Sequence, residues 1–120
     1  RMQPIALTYY MESDGSVPLL EWLDKQPKKV IDKCIACMEL LEEKGHELRR
    51  PHCDYLTEGI YELRIRHLNR HYRILYFFHG QSVVVAAHGL IKEKKVPKTE
   101  IKKAIERRNK FLQSPNKHSY

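Results

Sequence analysis

Arginines that alternate with apolar residues are the first candidates for chemistry in this sequence. Arg64 and Arg66 are separated by one residue, and Arg73 follows in a second alternating segment. Because side chains alternate across a strand, each segment should place its arginines on one sheet face. Guanidinium groups there repel one another across strands, yet their planar forks match phosphate oxygens. The spacing favours two interpretations equally: a phosphate-binding face, or a solvated face whose arginines pair with acids such as Glu62.

A histidine followed by a run of lysines is the second candidate. His88 is expected to end a strand, and Lys92, Lys94 and Lys95 come shortly after it. RNA cleavage without a metal requires a base for the 2′-hydroxyl proton, an acid for the 5′-oxygen and cations around the phosphorus. An imidazole near lysines could transfer such a proton. A structural histidine that caps the strand end is the alternative, and it is the commoner role of any single histidine.

The other residue types give little support for metal or cofactor chemistry. Cys34 and Cys37 have the spacing of a metal-binding pair but lie in an apolar helical stripe, where a zinc ion would lack two further ligands. Core packing is the favoured interpretation of both cysteines, and Trp22 and the strand tyrosines are interpreted in the same way. The sequence contains no nucleophile elbow, phosphate-binding loop or carboxylate constellation. We therefore expect no cofactor and no bound metal.

The distribution of charge points to a polyanionic partner. The chain carries a formal net charge of +7. Residues 1–60 hold 8 Lys and Arg against 11 Asp and Glu, a net charge of −3, whereas residues 61–120 hold 14 against 4, a net charge of +10. A basic charge confined to one half suggests nucleic acid. An anionic membrane surface is the rival, but the C-terminal helix offers only weakly the exposed apolar residues that it would need.

The periodicity of apolar residues predicts an α+β domain with the order β-α-α-β-β-β-α. Helical spacing marks a short helix around Trp22, a long apolar stripe from Val30 to Leu41, and a last helix between Pro97 and Pro115. A loop is expected over 46–59. Alternation and turn residues predict a first strand at 5–10 and an antiparallel meander of three more strands, at 60–66, 72–78 and 82–88, with turns at 69–71 and 79–81.

The length of 120 residues allows one compact core. We expect a single domain over 1–120, with its core at about 5–113 and a C-terminal tail at 114–120. Nothing in the sequence resembles a secretory signal peptide, and no apolar run could span a bilayer. Three cysteines, an odd number, fit a reducing compartment better than a disulfide framework. Together these features predict a cytoplasmic location.

Several of these segments together resemble one protein family. The blocks at 62–66 (ELRIR) and 72–78 (YRILYFF), the segment at 88–92 (HGLIK) and the proline ahead of the last helix are similar to the phage Gp49-like branch of HigB toxins. That branch belongs to the RelE superfamily. The resemblance runs from about Tyr9 to Leu112, and the two strand blocks carry most of its specificity because they occur together.

The resemblance implies a RelE-like fold, in which a small and largely antiparallel sheet packs against helices. It implies the toxin component of a type II toxin–antitoxin system, a metal-independent endoribonuclease that cleaves mRNA on the ribosome and thereby inhibits translation. It also implies a cognate antitoxin, often a helix-turn-helix protein, that forms a hetero-oligomer with the toxin.

The resemblance also assigns roles to particular residues. Arg64 corresponds to a phosphate-binding strand position, and Arg73 corresponds to the arginine that stabilises the transition-state phosphate. Lys92 or its neighbour Lys95 corresponds to a basic position after the last strand, and His88 to a histidine that recurs in this branch. The remaining cations are expected to bind the RNA backbone: Arg66, Lys94, Lys98, Lys102, Arg107 and Arg108.

The sequence departs from the family pattern near the end of this region. Leu90 and Glu93 stand where the branch commonly has Phe and Lys, and no late tyrosine is placed to stack on a substrate base. A non-catalytic RNA- or ribosome-binding module on the same fold is therefore an alternative to the nuclease. A protein whose basic face only docks an acidic partner is a third possibility.

Overall fold

The computed structural model describes residues 5–120 and confirms the α+β class. Among these residues no helix combines the length and the apolar character needed to cross a membrane. The elements in chain order are β1 (Ala6–Tyr9), α1 (Pro18–Asp24), α2 (Lys28–Lys44), a 3-10 turn (Gly45–Glu47), β2 (Cys53–Thr57), β3 (Ile60–His67), β4 (Arg70–His79), β5 (Val83–Lys92) and α3 (Lys98–Gln113).

The strands form one five-stranded sheet in the order β1-β5-β4-β3-β2. Each neighbouring pair from β2 to β5 is antiparallel, as expected for strands joined by short turns. β1 instead runs parallel to β5 at one edge. β4 lies at the centre of the sheet, and every residue from Tyr72 to Phe77 is buried because the strand has neighbours on both sides and helices on both faces.

The loop predicted over 46–59 is wrong in its second half, because β2 occupies Cys53–Thr57. β2 pairs with β3 through a two-residue turn at Glu58 and Gly59, both of which have positive φ angles, 49° and 82°. Such turns match the twist of a β-hairpin. The strand lacks a strong apolar alternation because it is an edge strand with its residues from Asp54 to Thr57 partly or fully exposed.

The turn predicted at 69–71 lies one residue earlier than expected. Leu68 and Asn69 have positive φ angles of 49° and 65° and form the turn, so Arg70 and His71 are the first residues of β4. Asparagine is one of the few residues that adopts this conformation readily. The correction moves His71 from a turn onto a strand, where its side chain shares a face with Arg73.

The prediction that His88 ends the third strand of the meander is also wrong, because β5 continues to Lys92. The register shifts between Leu75, which pairs with His88, and Tyr76, which pairs with Ala86. This β-bulge reverses the alternation of β5. His88 therefore lies on the opposite sheet face from Ala86, although the two residues are separated by one position.

The two faces of the sheet are covered differently. Helices α1 and α2 pack on one face, against buried residues that include Leu63, Tyr72 and Ile74. Gly89 lies on the α1 side, and a Cβ atom there would overlap the indole ring of Trp22. Helix α3 packs on the other face through Ala104 and Phe111, and its partners there are Ile60, Leu75, Phe77, Val85, Ala87 and Leu90. Arg64, Arg66 and Arg73 are not part of the apolar contact between α3 and this face of the sheet.

Candidate functional site

Four of the predicted site residues, Arg64, Arg66, Arg73 and Lys92, lie together on the second face of the sheet, beyond the apolar patch under α3. Directly paired residues of antiparallel strands project to the same face. The pairing of β3, β4 and β5 therefore produces three rows of side chains across the sheet: Arg66, His71 and Lys92; Arg64, Arg73 and Leu90; and Glu62, Leu75 and His88.

A cavity of about 330 Å³ opens at the first two rows. It brings together the three arginines expected from the sequence, and it adds Arg50, which precedes β2. Its lining consists of Arg50, Pro51, Arg64, Ile65, Arg66, His71 and Arg73. Four guanidiniums around one cavity make it suited to an anion with several oxygens, such as a phosphodiester.

A second cavity, of about 400 Å³, lies between β1 and α2 and has the opposite character. Its ionisable lining residues include Glu39 and Glu42, and no lysine or arginine between residues 5 and 120 lines it. Carboxylates repel phosphate groups, so a phosphodiester is not expected to bind there.

The floor of the arginine-lined cavity is a buried ion-pair triad. Glu62 is 3% exposed and Arg73 is 1% exposed. Arg73 Nε donates to Glu62 Oε1 at 3.0 Å, and Arg64 Nη1 donates to Glu62 Oε2 at 3.0 Å. Arg73 Nη1 also donates to the carbonyl oxygen of Tyr72 at 3.1 Å. The arginines therefore pair with Glu62, as the second interpretation expected, but Arg73 and Glu62 are buried and do not lie on a solvated face.

The Glu62 carboxylate helps to keep the buried Arg73 guanidinium positively charged. Burial lowers the pKa of the Arg73 guanidinium, and the Glu62 carboxylate opposes that effect. An arginine does not lose its proton under such conditions. Arg64 is the more accessible member, with 27% of its side chain exposed. The cavity therefore presents one fixed cation at its floor and others nearer to solvent.

His71 is the site residue that the sequence analysis missed. It lies on β4 between Arg66 of β3 and Lys92 of β5, and it lines the cavity. Partial burial, followed by the positive charges of Arg73, Arg66, Lys92 and Arg64, lowers the pKa of His71 below its usual range. Its spacing of two residues from Arg73 would have predicted that the two side chains share a sheet face. That prediction required His71 to lie on the strand, which became clear only when the structure placed the turn at residues 68 and 69.

His88 lies outside this cavity, beneath α3. It is 4% exposed, and its Nε2 atom lies 3.1 Å from Glu100 Oε1. That contact is not aligned as a hydrogen bond, and neither ring nitrogen has a hydrogen-bond partner within residues 5–120. Burial, then the charges of Arg107 and Lys103, lowers the pKa of His88 to about 3. The imidazole is consequently neutral over the pH range in which proteins function.

The burial of His88 predicts a specific pH dependence of stability. Between pH 6.5, the ordinary pKa of histidine, and pH 3 the unfolded chain binds a proton at His88 that the folded protein excludes. The free energy of unfolding should therefore decrease as the pH falls through this window. Replacing His88 with leucine should reduce that slope by up to about 1.4 kcal/mol per pH unit. Urea unfolding measured at several pH values tests this, and an unchanged slope in the variant would contradict it.

The lysines after β5 form a group separate from the arginine-lined cavity. Lys94 and Lys95 line another cavity, of about 590 Å³, together with Arg70 and Glu93. Lys92 does not belong to this group, because it is the last residue of β5 and is paired with His71. The structure therefore places Lys92 on the same sheet face as Arg73, and it does not place Lys95 there.

The cations of α3 are divided between a surface groove and internal contacts. Lys98 and Lys102 line a groove of about 420 Å³ with the apolar residues Ile101 and Ile105. Two further arginines are occupied within the chain. Arg107 pairs with Glu12 at 3.3 Å and its Cζ atom lies 5.8 Å from the centroid of the Tyr10 ring, while Arg108 donates to the carbonyl oxygen of Glu58.

The comparison with known families agrees with the arrangement of these elements. Residues 21–109 match the family described as phage derived protein Gp49-like (DUF891). A search of curated protein sequences finds no match. The matched segment includes the whole lining of the arginine-lined cavity. The match to this family suggests that the protein is the toxin of a toxin–antitoxin pair, and hence that it has an antitoxin partner. Because the match covers most of the chain, this protein belongs to the Gp49-like family, within the RelE/HigB-like toxin superfamily.

Proposed function

We propose that this protein is the toxin of a type II toxin–antitoxin system and acts as a ribosome-dependent mRNA endoribonuclease. The observation that carries the proposal is the cavity on the second sheet face, where Arg64, Arg66, Arg73 and His71 meet. A phosphodiester could be bound there by cations and approached by an imidazole. The high positive charge of residues 61–120 also supports an RNA substrate, because it attracts the negatively charged phosphate backbone.

In this proposal the cations have separate tasks. Arg64 and Arg66, which are the more exposed arginines, bind the phosphate in its ground state. Arg73 at the cavity floor stabilises the charge that develops on the pentavalent phosphorus, since a fixed cation in a water-poor site needs no reorganisation during reaction. Lys92 lies on β5, on the opposite side of β4 from Arg64 and Arg66, and adds positive charge there. The reaction proceeds without a metal.

The remaining basic residues fit a larger nucleic-acid surface. Lys94 and Lys95 lie after β5, and Lys98 and Lys102 lie on the first turns of α3. We assign them to backbone contacts with mRNA or ribosomal RNA, which depend on charge and not on base sequence. The antitoxin, expected to be a helix-turn-helix protein, would form a hetero-oligomer with the toxin and oppose this positive charge.

Primer extension of mRNA in a reconstituted translation mixture tests the proposed function. We expect cuts at codons in the ribosomal A site, and no cuts when ribosomes are omitted. A 2′-O-methyl group at the A-site codon should abolish the cut, because the attacking hydroxyl is then blocked. RNA binding with a steep salt dependence but without cuts would contradict the nuclease and favour the non-catalytic binding module.

A further inference from the structure

The position of His71 gives it a role that neither the sequence nor the family assigns. It is the one histidine that lines the arginine-lined cavity within the part of the chain the structure describes. It lies two residues before Arg73 on β4, and it is paired with Arg66 on β3 and with Lys92 on β5. An anion held by the arginines would therefore lie beside this imidazole.

The groups that face His71 are all cations. They are Arg64 and Arg66 from β3, Arg73 from its own strand and Lys92 from β5. Positive neighbours disfavour the charged imidazolium, and partial burial acts in the same direction. His71 is thus neutral near pH 7, and a neutral imidazole has one nitrogen free to accept a proton.

Glu62 and His88, which lie on the same sheet face as His71, are not available as bases. Glu62 uses one carboxylate oxygen for Arg73 and the other for Arg64, so both oxygens are occupied and buried. His88 is enclosed beneath α3 and does not line the cavity. The other ionisable residues that line the cavity are arginines, which do not lose a proton in proteins and so cannot accept one.

We propose that His71 is the general base that removes the proton from the attacking 2′-hydroxyl group of the RNA. This assignment rests on the proposed nuclease function. The 2′-oxygen then forms a bond to phosphorus, and the bond from phosphorus to the 5′-oxygen breaks. The 5′-oxygen takes a proton from solvent water, and the His71 imidazolium releases its proton to solvent, which regenerates the base. The products are a 2′,3′-cyclic phosphate and a 5′-hydroxyl end, so atoms and charges balance without an added reactant.

The cations that keep His71 neutral before the reaction do not prevent its protonation during it. The proton reaches the imidazole while negative charge accumulates on the phosphorane next to it. That negative charge offsets the repulsion between the imidazolium and the surrounding guanidiniums. Ground state and transition state thus favour different protonation states of His71, as a general base requires.

The test compares His71→Gln with His67→Gln in the ribosome-dependent cleavage assay. His67 ends β3 and lies on the opposite face from Arg66, so it is a matched control. We expect His71→Gln to lower kcat by about 10²–10⁴-fold, and His67→Gln to retain the parental rate. The Kd for ribosomes carrying 2′-O-methyl mRNA should be unchanged in both variants, because the Gln side chain leaves the arginines in place.

Two further readouts separate a base from a merely structural residue. The kcat/KM of the parent should rise with pH through a midpoint below 6.5, the ordinary pKa of histidine, and this acidic limb should be absent in His71→Gln. Added imidazole should restore part of the cleavage in His71→Ala. If the parent cleaves mRNA and His71→Gln cleaves at the parental rate, His71 is not the base, although the nuclease function stands. If the parent does not cleave, both proposals fail.

Discussion

Replacing Glu62 with alanine is expected to lower the free energy of unfolding by about 3–5 kcal/mol, the usual effect of removing one partner of a buried ion pair. Glu62 and Arg73 are each almost completely buried. Without the carboxylate, the Arg73 guanidinium would remain in the protein interior with the carbonyl oxygen of Tyr72 as its partner. Urea unfolding followed by circular dichroism measures the effect.

The chain offers a matched exposed pair as a control for this prediction. Arg50 and Asp54 also form an arginine–carboxylate pair, at 2.7 Å, but their side chains are 67% and 36% exposed. Asp54→Ala should leave the urea midpoint nearly unchanged, because water replaces the lost partner. A second comparison is the double variant Glu62→Leu with Arg73→Met, which should recover much of the stability because no unpaired charge is left buried. Equal midpoints for Glu62→Ala and the parent would contradict the triad.

Replacing Arg73 with lysine is expected to reduce mRNA cleavage by about 10²–10³-fold while retaining most of the stability. A lysine keeps a positive charge for Glu62. It cannot hold Glu62 and also direct a planar set of donors towards the phosphate, as a guanidinium can. Arg73 uses its Nε and Nη1 atoms for Glu62 and Tyr72, which leaves donors on its remaining nitrogen for the substrate. Arg73→Ala is less informative because it would also leave Glu62 without its buried partner.

The control for Arg73→Lys is an exposed cation far from the cavity. Lys28, at the start of α2, has a side chain that is 86% exposed and pairs with Asp32. Lys28→Gln should cleave at the parental rate. The rate of cleavage is measured with ribosomes in excess, together with the urea midpoint of each variant. An Arg73→Lys protein that folds normally and cleaves at the parental rate would remove Arg73 from the proposed mechanism.

The sequence was sufficient for those parts of the fold that depend on local periodicity. Alternation placed β3 and most of β4 and β5, and the helical stripe from Val30 to Leu41 placed α2. Both patterns arise because one face of an isolated element must be apolar to be buried, which requires no knowledge of the partner. For the same reason the alternation showed that Arg64 and Arg66 share a face, and the family resemblance drawn from these blocks was confirmed.

Neither the strand β2 nor the position of β1 within the sheet could be predicted in this way. β2 carries little apolar alternation because it is an edge strand. β1 joins the sheet beside β5 although its residues lie 77 positions before their partners in register, as for Ala6 and Val83. Which distant strands pair depends on how much apolar surface the whole folded chain buries. Local propensity carries no information about them.

The site shows the same division between local pattern and long-range register. Residue types and spacing identified Arg64, Arg66 and Arg73, because alternation within a strand is a local property. Three features depended on register across strands: the position of His71 between two cations, the β-bulge that turns His88 towards α3, and the bridging of two arginines by Glu62. A one-residue change in a turn or a bulge exchanges the faces of a strand, so these features required the folded sheet.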